Sequence, residues 1–308
     1  MSLRAGLLNT WLRQVEKPAM ARAKDPAQLR RRMEMHARLF FHAPRGTRMQ
    51  WQVLEHGHNR LDALEVAPRA LTSDMVVLYV HGGGFVFGSP TAYSALAGQM
   101  ARRLGARVIL PRYRLAPEHP FPAAFDDICT AWQSLLKSGI SPDKIVIGGD
   151  SAGGALTLSL LGQLAEEDAP MPAGTFCFSP LTDVTYSGES FGKNAKAEAV
   201  LPAERAHDMC AMYLGGAEVT DPRISPLFGR FEGVPPVWIT VGDTEILYDD
   251  GRRMAQVLRD DGVEVTLQVQ RDLPHVWPLF HNILPEARQT LDDLVEWITQ
   301  TQVLPGEN

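Results

Sequence analysis

One pentapeptide brings together the residue types of a nucleophilic site. Residues 149–153 read Gly-Asp-Ser-Ala-Gly, which matches G-x-S-x-G, and they follow the apolar run Ile145-Val146-Ile147. A sharp turn from a strand into a helix strains the serine backbone and raises its hydroxyl above the sheet, and small neighbours let the two elements approach. A capping serine in an ordinary turn is the alternative. The strand before the motif and the helical segment after it favour Ser151 as a nucleophile.

A glycine-rich motif after another apolar strand predicts an oxyanion site. Residues 81–85 read His-Gly-Gly-Gly-Phe. Consecutive glycines adopt positive φ angles readily and leave their N–H groups open, and such donors stabilise a developing oxyanion by about 3–4 kcal/mol each. A phosphate-binding loop is disfavoured because neither G-x-x-x-x-G-K-[ST] nor G-x-G-x-x-G fits these residues. His81, at the end of the strand, is predicted to orient the loop.

A serine nucleophile requires a base, and three histidines follow it: His207, His275 and His281. In hydrolases with a G-x-S-x-G turn, the chain order is serine, then acid, then histidine. His275 follows a predicted strand by the short loop 271–274, which places it at the edge of the sheet where ligands bind. His207 falls in a helix of an insert, and His281 is interpreted as a surface or packing residue. The spacing therefore favours His275 as the base.

The acid that orients this base is expected after the predicted strand Val237–Val241. Three carboxylates compete there: Asp243, Glu245 and Asp249. Asp249 is predicted to begin a helix, where a carboxylate is favoured by the helix dipole. Spacing alone leaves Asp243 and Glu245 open.

The elements that must position these residues alternate between strand and helix patterns. The predicted strands are Met49–Leu54, Leu61–Val66, Met75–Val80, Arg107–Leu110, Lys144–Gly148, Gly174–Phe178, Val237–Val241 and Val263–Gln270. The predicted helices between and after them are Ala92–Leu104, Ala123–Leu136, Ser151–Ala165, residues 249–259 and a final helix around Leu291–Ile298. This order predicts an α/β fold with a mostly parallel sheet covered on both faces. Only the first two strands, joined by a short turn, are expected to be antiparallel.

Two segments depart from the alternation and are predicted to form a small helical cap. Residues 1–45 carry helical periodicity, and the run Arg30–Arg32 within them is interpreted as a solvated helix face. Residues 184–215 form a polar loop followed by a helix from about Pro202 to Tyr213. Inserts of this kind lie at the edge of the sheet where ligands bind. Residues 46–308, including this insert, are predicted to form the catalytic domain.

Four motifs in order resemble the bacterial hormone-sensitive-lipase family of α/β-hydrolases, also called esterase family IV. They are residues 81–84, the stretch Tyr113-Arg114-Leu115-Ala116-Pro117-Glu118, residues 149–154 and His275. The aspartate before the serine is similar to that of the G-D-S-A-G subfamily. The resemblance covers residues from about 48 to the C-terminus. It implies an α/β-hydrolase fold, with an eight-stranded sheet under a helical cap, and hydrolysis of carboxylic esters without a cofactor or metal.

The resemblance also implies roles for single residues. It makes Ser151 the nucleophile and His275 the base, and it aligns residues 245–251 with the family stretch D-x-L-x-D-[DE]-G. Glu245 then takes the position of the acid, where the family usually has aspartate, and Asp243 stays the alternative. The implied oxyanion donors are the N–H groups of Gly83, Gly84 and Ala152, with Gly82 an unassigned neighbour. Candidate substrate-binding residues, for which core packing is the alternative, are Phe85, Phe87, Asp150, Tyr186, Phe191 and Trp277.

The composition excludes several other classes of protein. The chain has 308 residues, 45% of them hydrophobic, and a net charge of -6, which gives no electrostatic reason to expect nucleic acid or an anionic membrane as a partner. No apolar run approaches the roughly 18 residues of a membrane span, so no membrane insertion is predicted. Three widely spaced cysteines and no signal-peptide pattern predict a cytoplasmic protein.

The predicted substrate is a small-molecule ester with a short-to-medium acyl group, because the cap is small and the resemblance implies the same preference. The same residues would also act on lactones, amides or acetylated small molecules, and fold alone does not separate these. A hydrolase fold that only binds ligands is the alternative of another class. Some relatives pair through an edge strand, so a homodimer through Val263–Gln270 is a further expectation.

Overall fold

The structure, a computed structural model, describes residues 2–23 and 25–303. Its strands are β1 Arg48–His56, β2 Asn59–Ala67, β3 Val76–Val80, β4 Arg107–Pro111, β5 Ile145–Asp150, β6 Gly174–Phe178, β7 Val237–Gly242 and β8 Val265–Gln270. They form one sheet in the order β1-β2-β4-β3-β5-β6-β7-β8. Strand β2 runs antiparallel to β1 and β4, and every other neighbouring pair is parallel. The predicted mostly parallel, eight-stranded α/β sheet is confirmed.

Helices cover both faces of the sheet, which is why its central strands read as unbroken apolar runs. Two of them, α4 Pro90–Leu104 and α10 Pro285–Val303, cover one face. The opposite face is covered by α5 Ala123–Lys137, α6 Ser151–Glu166 and α9 Tyr248–Asp260. All five residues of β3 are buried. None of the helices in the described part of the chain has the length and apolar character needed to cross a bilayer.

Three helices precede the sheet: α1 Leu3–Trp11, α2 Lys17–Arg22 and α3 Pro26–Phe40. A π-helical turn, Leu12–Glu16, continues α1 into α2. The predicted ranges 1–45 and 46–308 also include Met1, Lys24 and residues 304–308, which lie outside the described residues.

The arginine run in α3 corrects one prediction. Arg30 pairs with Glu118 at 2.7 Å and Arg32 with Glu16 at 2.9 Å, whereas the Arg31 side chain is 73% exposed. The solvated face predicted for all three is therefore wrong for Arg30 and Arg32. Neighbouring elements supply carboxylates that the pattern within one helix could not reveal.

The insert after β6 contains two helices, α7 Glu189–Lys193 and α8 Ala203–Leu214. The first was predicted as loop, and it forms where the Asp249 carboxylate accepts the N–H of Ser190 at 2.8 Å. Asp249 lies in the first turn of α9, as predicted. Helix α8 ends at Gly215, whose φ of 57° is in the left-handed region that favours glycine.

Candidate active site

Ser151 lies at the sharp junction between β5 and α6. Its φ is 51°, in the region that non-glycine residues seldom adopt, and its side chain is only slightly exposed. The flanking glycines permit this turn: a Cβ on Gly153 would lie 2.1 Å from the carbonyl oxygen of Val80, and one on Gly149 would lie 2.5 Å from that of Gly153. The strained serine and tightly packed glycines have the geometry of a nucleophile elbow.

A buried histidine and a buried carboxylate face each other beside this turn. His275, in the loop after β8, has its Nδ1 2.6 Å from Oε2 of Glu245, which follows β7. The other oxygen of Glu245 accepts the hydroxyl of Ser179 at 2.8 Å and the N–H of Gly242 at 2.6 Å. Glu245 is therefore fixed by three hydrogen bonds and can hold His275 in one orientation.

The structure separates the competing candidates. Asp243 accepts the N–H of Asp272 at 2.7 Å and borders an open surface cleft, away from His275. His281 is buried against Phe41 and its Nδ1 lies 3.3 Å from the carbonyl of Pro278, which makes it a packing residue.

The third competing histidine, His207 on α8, packs edge-on to Tyr186 and Phe191. Among the described residues, Glu245 and His275 are the competing carboxylate and histidine that lie in contact.

The charges around His275 favour its protonated form. Burial lowers the pKa of His275, but the hydrogen bond and charge of Glu245 outweigh burial and hold that pKa above its ordinary value. The charges of Glu198 and Asp150 act in the same direction. An imidazolium formed by proton transfer from a hydroxyl would therefore be stabilised here.

Ser151 and His275 line the same cavity. Within the described part of the chain, the Ser151 hydroxyl has no hydrogen bond. In sites without substrate, the contact between nucleophile and base is often long and shortens when substrate binds.

The glycine motif presents open N–H groups to this cavity. Gly83 and Gly84 have φ angles of 120° and 58°, and among the described residues their N–H groups have no hydrogen-bond partner. The N–H of Ala152, in the first turn of α6, has no partner within the helix for geometric reasons. Gly82 differs because its N–H donates to Oδ1 of Asp150 at 3.0 Å. Gly83, Gly84 and Ala152 therefore each offer an open N–H group at the candidate site.

Asp150 lies beneath the glycine motif and braces it. Its carboxylate also accepts the hydroxyls of Tyr79 at 2.9 Å and Tyr93 at 2.8 Å. Burial raises its pKa to about 6, against the lowering effect of these hydrogen bonds. Asp150 borders the cavity, as expected of a candidate substrate-binding residue, while both of its oxygens are engaged within the protein.

His81 occupies the position that was predicted for it. It stacks on Tyr113 with ring centroids 4.3 Å apart, and its Nδ1 lies 2.8 Å from the carbonyl of Gly82. Burial lowers its pKa to about 4, so the ring is neutral at physiological pH. His81 therefore supports the glycine motif from below.

Three of the aromatic substrate candidates, Phe85, Phe191 and Trp277, do not line the cavity. Phe85 is buried and stacks on Tyr213 with centroids 3.8 Å apart. Trp277 is fully buried and donates its Nε1–H to Thr290 at 2.9 Å.

The cavity that contains Ser151 has a volume of about 170 Å³ and is almost entirely apolar. Its lining beyond the site residues includes Met20, Met33, Phe87, Leu181, Tyr186, Val200, Leu201, Met209, Leu247, Leu279 and Phe280. Phe87 and Tyr186 are the aromatic candidates that do reach it. The N-terminal helices and the insert both contribute side chains. The site can hold a small apolar group beside a nucleophile, a base and open N–H donors.

Sequence reasoning missed two residues that hold the acid in place. Ser179, directly after β6, donates to Glu245 and accepts the N–H of Val276 at 3.2 Å. Glu198 is buried and accepts the N–H groups of Val200 at 2.7 Å and Ile246 at 3.1 Å. In the sequence, Glu198 stands out as the single charged residue in the otherwise apolar stretch 197–201, which could have indicated a buried carboxylate.

Comparison with known proteins agrees with this geometry. Residues 77–279 match the family model described as an alpha/beta hydrolase fold. The chain is 36% identical over 216 residues to an acetyl-hydrolase of Streptomyces hygroscopicus, covering 70% of this chain and 72% of the relative. It is 37% identical over 229 residues to an esterase of Acinetobacter venetianus, covering 74% and 76%. A crystal structure of an esterase from the bacterial hormone-sensitive lipase family matches with a TM-score of 0.90 at 34% identity, covering 98% of this chain and 99% of that one.

The fold and the site thus define an α/β hydrolase. Within that class, the chain belongs to the hormone-sensitive-lipase family and is a carboxylic-ester hydrolase. The family, fold class and activity expected from the sequence are confirmed.

Proposed function

We propose that the chain hydrolyses esters of small molecules with short acyl groups through an acyl-enzyme formed on Ser151. The observation that carries this proposal is the 2.6 Å contact of His275 with Glu245 at a cavity that also contains Ser151 and open backbone N–H groups. Nucleophile, base, acid and oxyanion donors are then all supplied by the chain itself, without a cofactor or metal.

The proposed reaction has two halves. The Ser151 oxygen attacks the ester carbonyl while His275 takes the hydroxyl proton, and Glu245 stabilises the imidazolium. The oxyanion is held by the N–H groups of Gly83, Gly84 and Ala152. His275 then gives its proton to the leaving alcohol, and the acyl group stays on Ser151. Water then attacks the acyl group in the same way, which releases the carboxylic acid product and restores Ser151.

The size of the cavity supports short acyl groups. Its volume of about 170 Å³ is below the roughly 300–1,000 Å³ typical of drug-sized ligands. The name of the acetyl-hydrolase relative is consistent with a small acyl group.

The two segments predicted as a cap are proposed to form it. Met20 and Met33 reach the cavity from the N-terminal helices, and Val200 and Met209 reach it from the insert. Residues 1–45 and 184–215 would then close the site over the catalytic domain.

Assembly and location are also proposed here. Strand β8 lies at one edge of the sheet, where its outer side is open to pair with a second copy. We propose a homodimer through this edge, which light scattering tests directly.

Three free cysteines, Cys129, Cys177 and Cys210, support a cytoplasmic location, which cell fractionation tests.

The central test is hydrolysis of p-nitrophenyl esters, from acetyl to palmitoyl, by the wild type and three variants. We expect the rate to peak at short acyl chains. Ser151→Ala should lower kcat by at least about 10⁴-fold and Glu245→Gln by about 10³-fold, since one removes the nucleophile and the other the charge that supports the base. Asp243→Asn is the matched control and should leave the rate near that of the wild type.

Contrary results have specific meanings. A wild type that is inert on all these esters but opens lactones or amides would overturn the proposed substrate class. A damaging Asp243→Asn with a harmless Glu245→Gln would overturn the assignment of the acid.

A further inference from the structure

The outer sides of the N-terminal helices carry an exposed apolar surface. In α1 and the turn that follows it, apolar side chains recur every fourth residue, and Leu3 and Leu7 are 90% and 74% exposed. On α3, Leu39 is 61% exposed. The Trp11 and Phe40 rings meet edge-to-face with centroids 6.1 Å apart, so the two helices present one continuous surface. We call it the N-terminal apolar face, made of Leu3, Leu7, Trp11, Val15, Met35, Leu39 and Phe40.

The segment that carries this face is positively charged although the whole chain is negative. Residues 1–45 contain ten Lys and Arg against three Asp and Glu, a net charge of +7. Since the chain as a whole carries -6, the remaining residues carry -13. The sequence-based expectation of no attraction to anionic membranes used only the total charge of the chain. Because the charge is distributed unevenly, the total does not exclude attraction at the N-terminal helices.

Arginines project from the same side of α3 as the apolar residues. Arg31, Met35, Arg38 and Leu39 are spaced i, i+4, i+7 and i+8, which places them on one side of the helix. Among the described residues, Arg38 has no carboxylate partner. The nearest carboxylate to Arg31 belongs to Asp25 at 3.8 Å, and both side chains are mostly exposed, so this pair is weak.

Exposed apolar side chains beside arginines without a strong carboxylate partner suit an anionic lipid surface. A second copy of this chain fits less well, because a twofold axis through the face would bring each arginine cluster against its own equivalent. We propose that the N-terminal apolar face docks on the surface of an anionic phospholipid bilayer. Arg31 and Arg38 then contact lipid phosphates, and Leu7 and Leu39 enter the boundary of the acyl chains. No part of the chain needs to cross the bilayer.

A second cavity lies between this face and the cavity of Ser151. Its volume is about 390 Å³, and Trp11 and Phe40 line it where it meets the face. Its walls share six residues with the cavity of Ser151: Met20, Met33, Phe87, Val200, Leu279 and Phe280. Apart from Glu16, Arg32 and His36 its walls are apolar, and it would offer an ester that leaves the lipid a route toward Ser151. This route rests on the proposed esterase function, whereas the docking does not.

The test is sedimentation of the full chain with lipid vesicles, using Ser151→Ala so that no lipid is hydrolysed. We expect binding to vesicles of equal parts phosphatidylcholine and phosphatidylglycerol, weakened by salt, and none to phosphatidylcholine alone. Arg31→Glu/Arg38→Glu should weaken binding at least about 20-fold. The control Arg60→Glu/Arg230→Glu makes the same change of charge at exposed sites outside the face and should leave binding unchanged.

A second pair of variants guards against misfolding of the charge-reversed protein. Leu7→Ser/Leu39→Ser should also lose vesicle binding, while Leu71→Ser, at a 46% exposed leucine outside the face, should keep it. All of these changes, placed in the chain with Ser151 intact, should leave hydrolysis of soluble p-nitrophenyl butyrate unchanged.

Several results would overturn the docking proposal. These are absence of binding to anionic vesicles, equal binding to neutral ones, or equal losses in test and control variants. A dimer in light scattering that Leu39→Ser dissociates would assign the face to contact between copies instead. A wild type that binds vesicles but is inert on soluble esters would overturn the proposed esterase function and leave the docking in place.

Discussion

The acid of the site is held by a second buried carboxylate. Glu198 accepts the N–H of Ile246, directly after Glu245, and its charge raises the pKa of His275. Asn194 holds the same segment by donating to the carbonyl of Glu245 at 2.8 Å. Glu198 therefore acts on the base through its charge and on the acid through the backbone, without reaching the cavity.

This arrangement predicts a shifted pH profile in Glu198→Gln. The base must be neutral to accept a proton, so kcat/KM falls as the pH drops through the pKa of His275. Removing the charge of Glu198 lowers that pKa, so the acid limb of kcat/KM should move to lower pH. Glu204→Gln, at an exposed position of α8, should not move it. An unmoved limb together with a lowered melting temperature would mean that Glu198 has only a structural role.

Side-chain direction explains which site residues were predictable. The residues proposed as nucleophile, base and oxyanion donors all belong to motifs at strand ends, and they come together because the chain leaves each of these strands at the same edge of the sheet. Trp277 was assigned wrongly although it is close in sequence to His275. Val276 between them has a φ of 51°, and while His275 lines the cavity, Trp277 packs against Thr290 in the core. Phe85, with a φ of 62°, turns away from the glycine motif in the same manner.

At the scale of elements, the strand and helix patterns were predicted well because buried elements repeat apolar residues at fixed periods. Pairing extended the first hairpin beyond its apolar pattern, to His56 opposite Asn59. Helix α7 and the contacts of Glu198 could not be predicted, since they depend on how the insert returns over the sheet.

Arg30, on α3, links the N-terminal helices to the loops around Val86 and Ala116, which lie next to the candidate active site. It donates to the carbonyls of Val86 and Ala116, each at 2.8 Å, and pairs with both oxygens of Glu118. The same pairing lowers the pKa of Glu118 to about 2. Helix α3 is thereby fixed to the segment that follows the oxyanion donors.

Arg30→Ala should loosen this connection. Loss of several hydrogen bonds to a charged group predicts a decrease in the free energy of unfolding of about 1–3 kcal/mol and a lower kcat/KM on soluble esters. The adjacent Arg31→Ala, on the exposed side of α3, should change neither. Thermal melts and initial rates of the two variants make the comparison. Equal melting temperatures and equal rates in the two variants would show that the contacts of Arg30 do not stabilise the fold.

At the scale of the whole molecule, buried charge sets how stability depends on pH. Asp250 on α9 accepts the N–H groups of Thr182 at 2.7 Å and Asp183 at 3.0 Å. Burial raises its pKa to about 7, well above its ordinary 3.8, although these bonds lower it. A raised pKa means that the folded state holds the proton more tightly than the unfolded chain. The resulting stability is fully present below pH about 4 and is lost as the pH rises through about 7.

Asp250→Asn should remove this dependence because the amide keeps an acceptor oxygen but cannot ionise. We expect the stability of the wild type relative to the variant to fall by roughly 2–3 kcal/mol between pH 5 and pH 8. Urea unfolding at several pH values measures it. Asp260→Asn, at an exposed position near the end of α9, should give a curve parallel to that of the wild type. Parallel curves for Asp250→Asn as well would contradict the shifted pKa.

The separation of charge between residues 1–45 and the rest of the chain also gives the molecule a dipole moment. In the field of a distant anionic surface, a dipole experiences a torque before any contact is made. The helices that precede the sheet would turn toward that surface while the acidic body turns away. The molecule would then approach the surface with its second cavity already facing the lipid. At low ionic strength this orientation would make productive encounters more frequent than random tumbling allows.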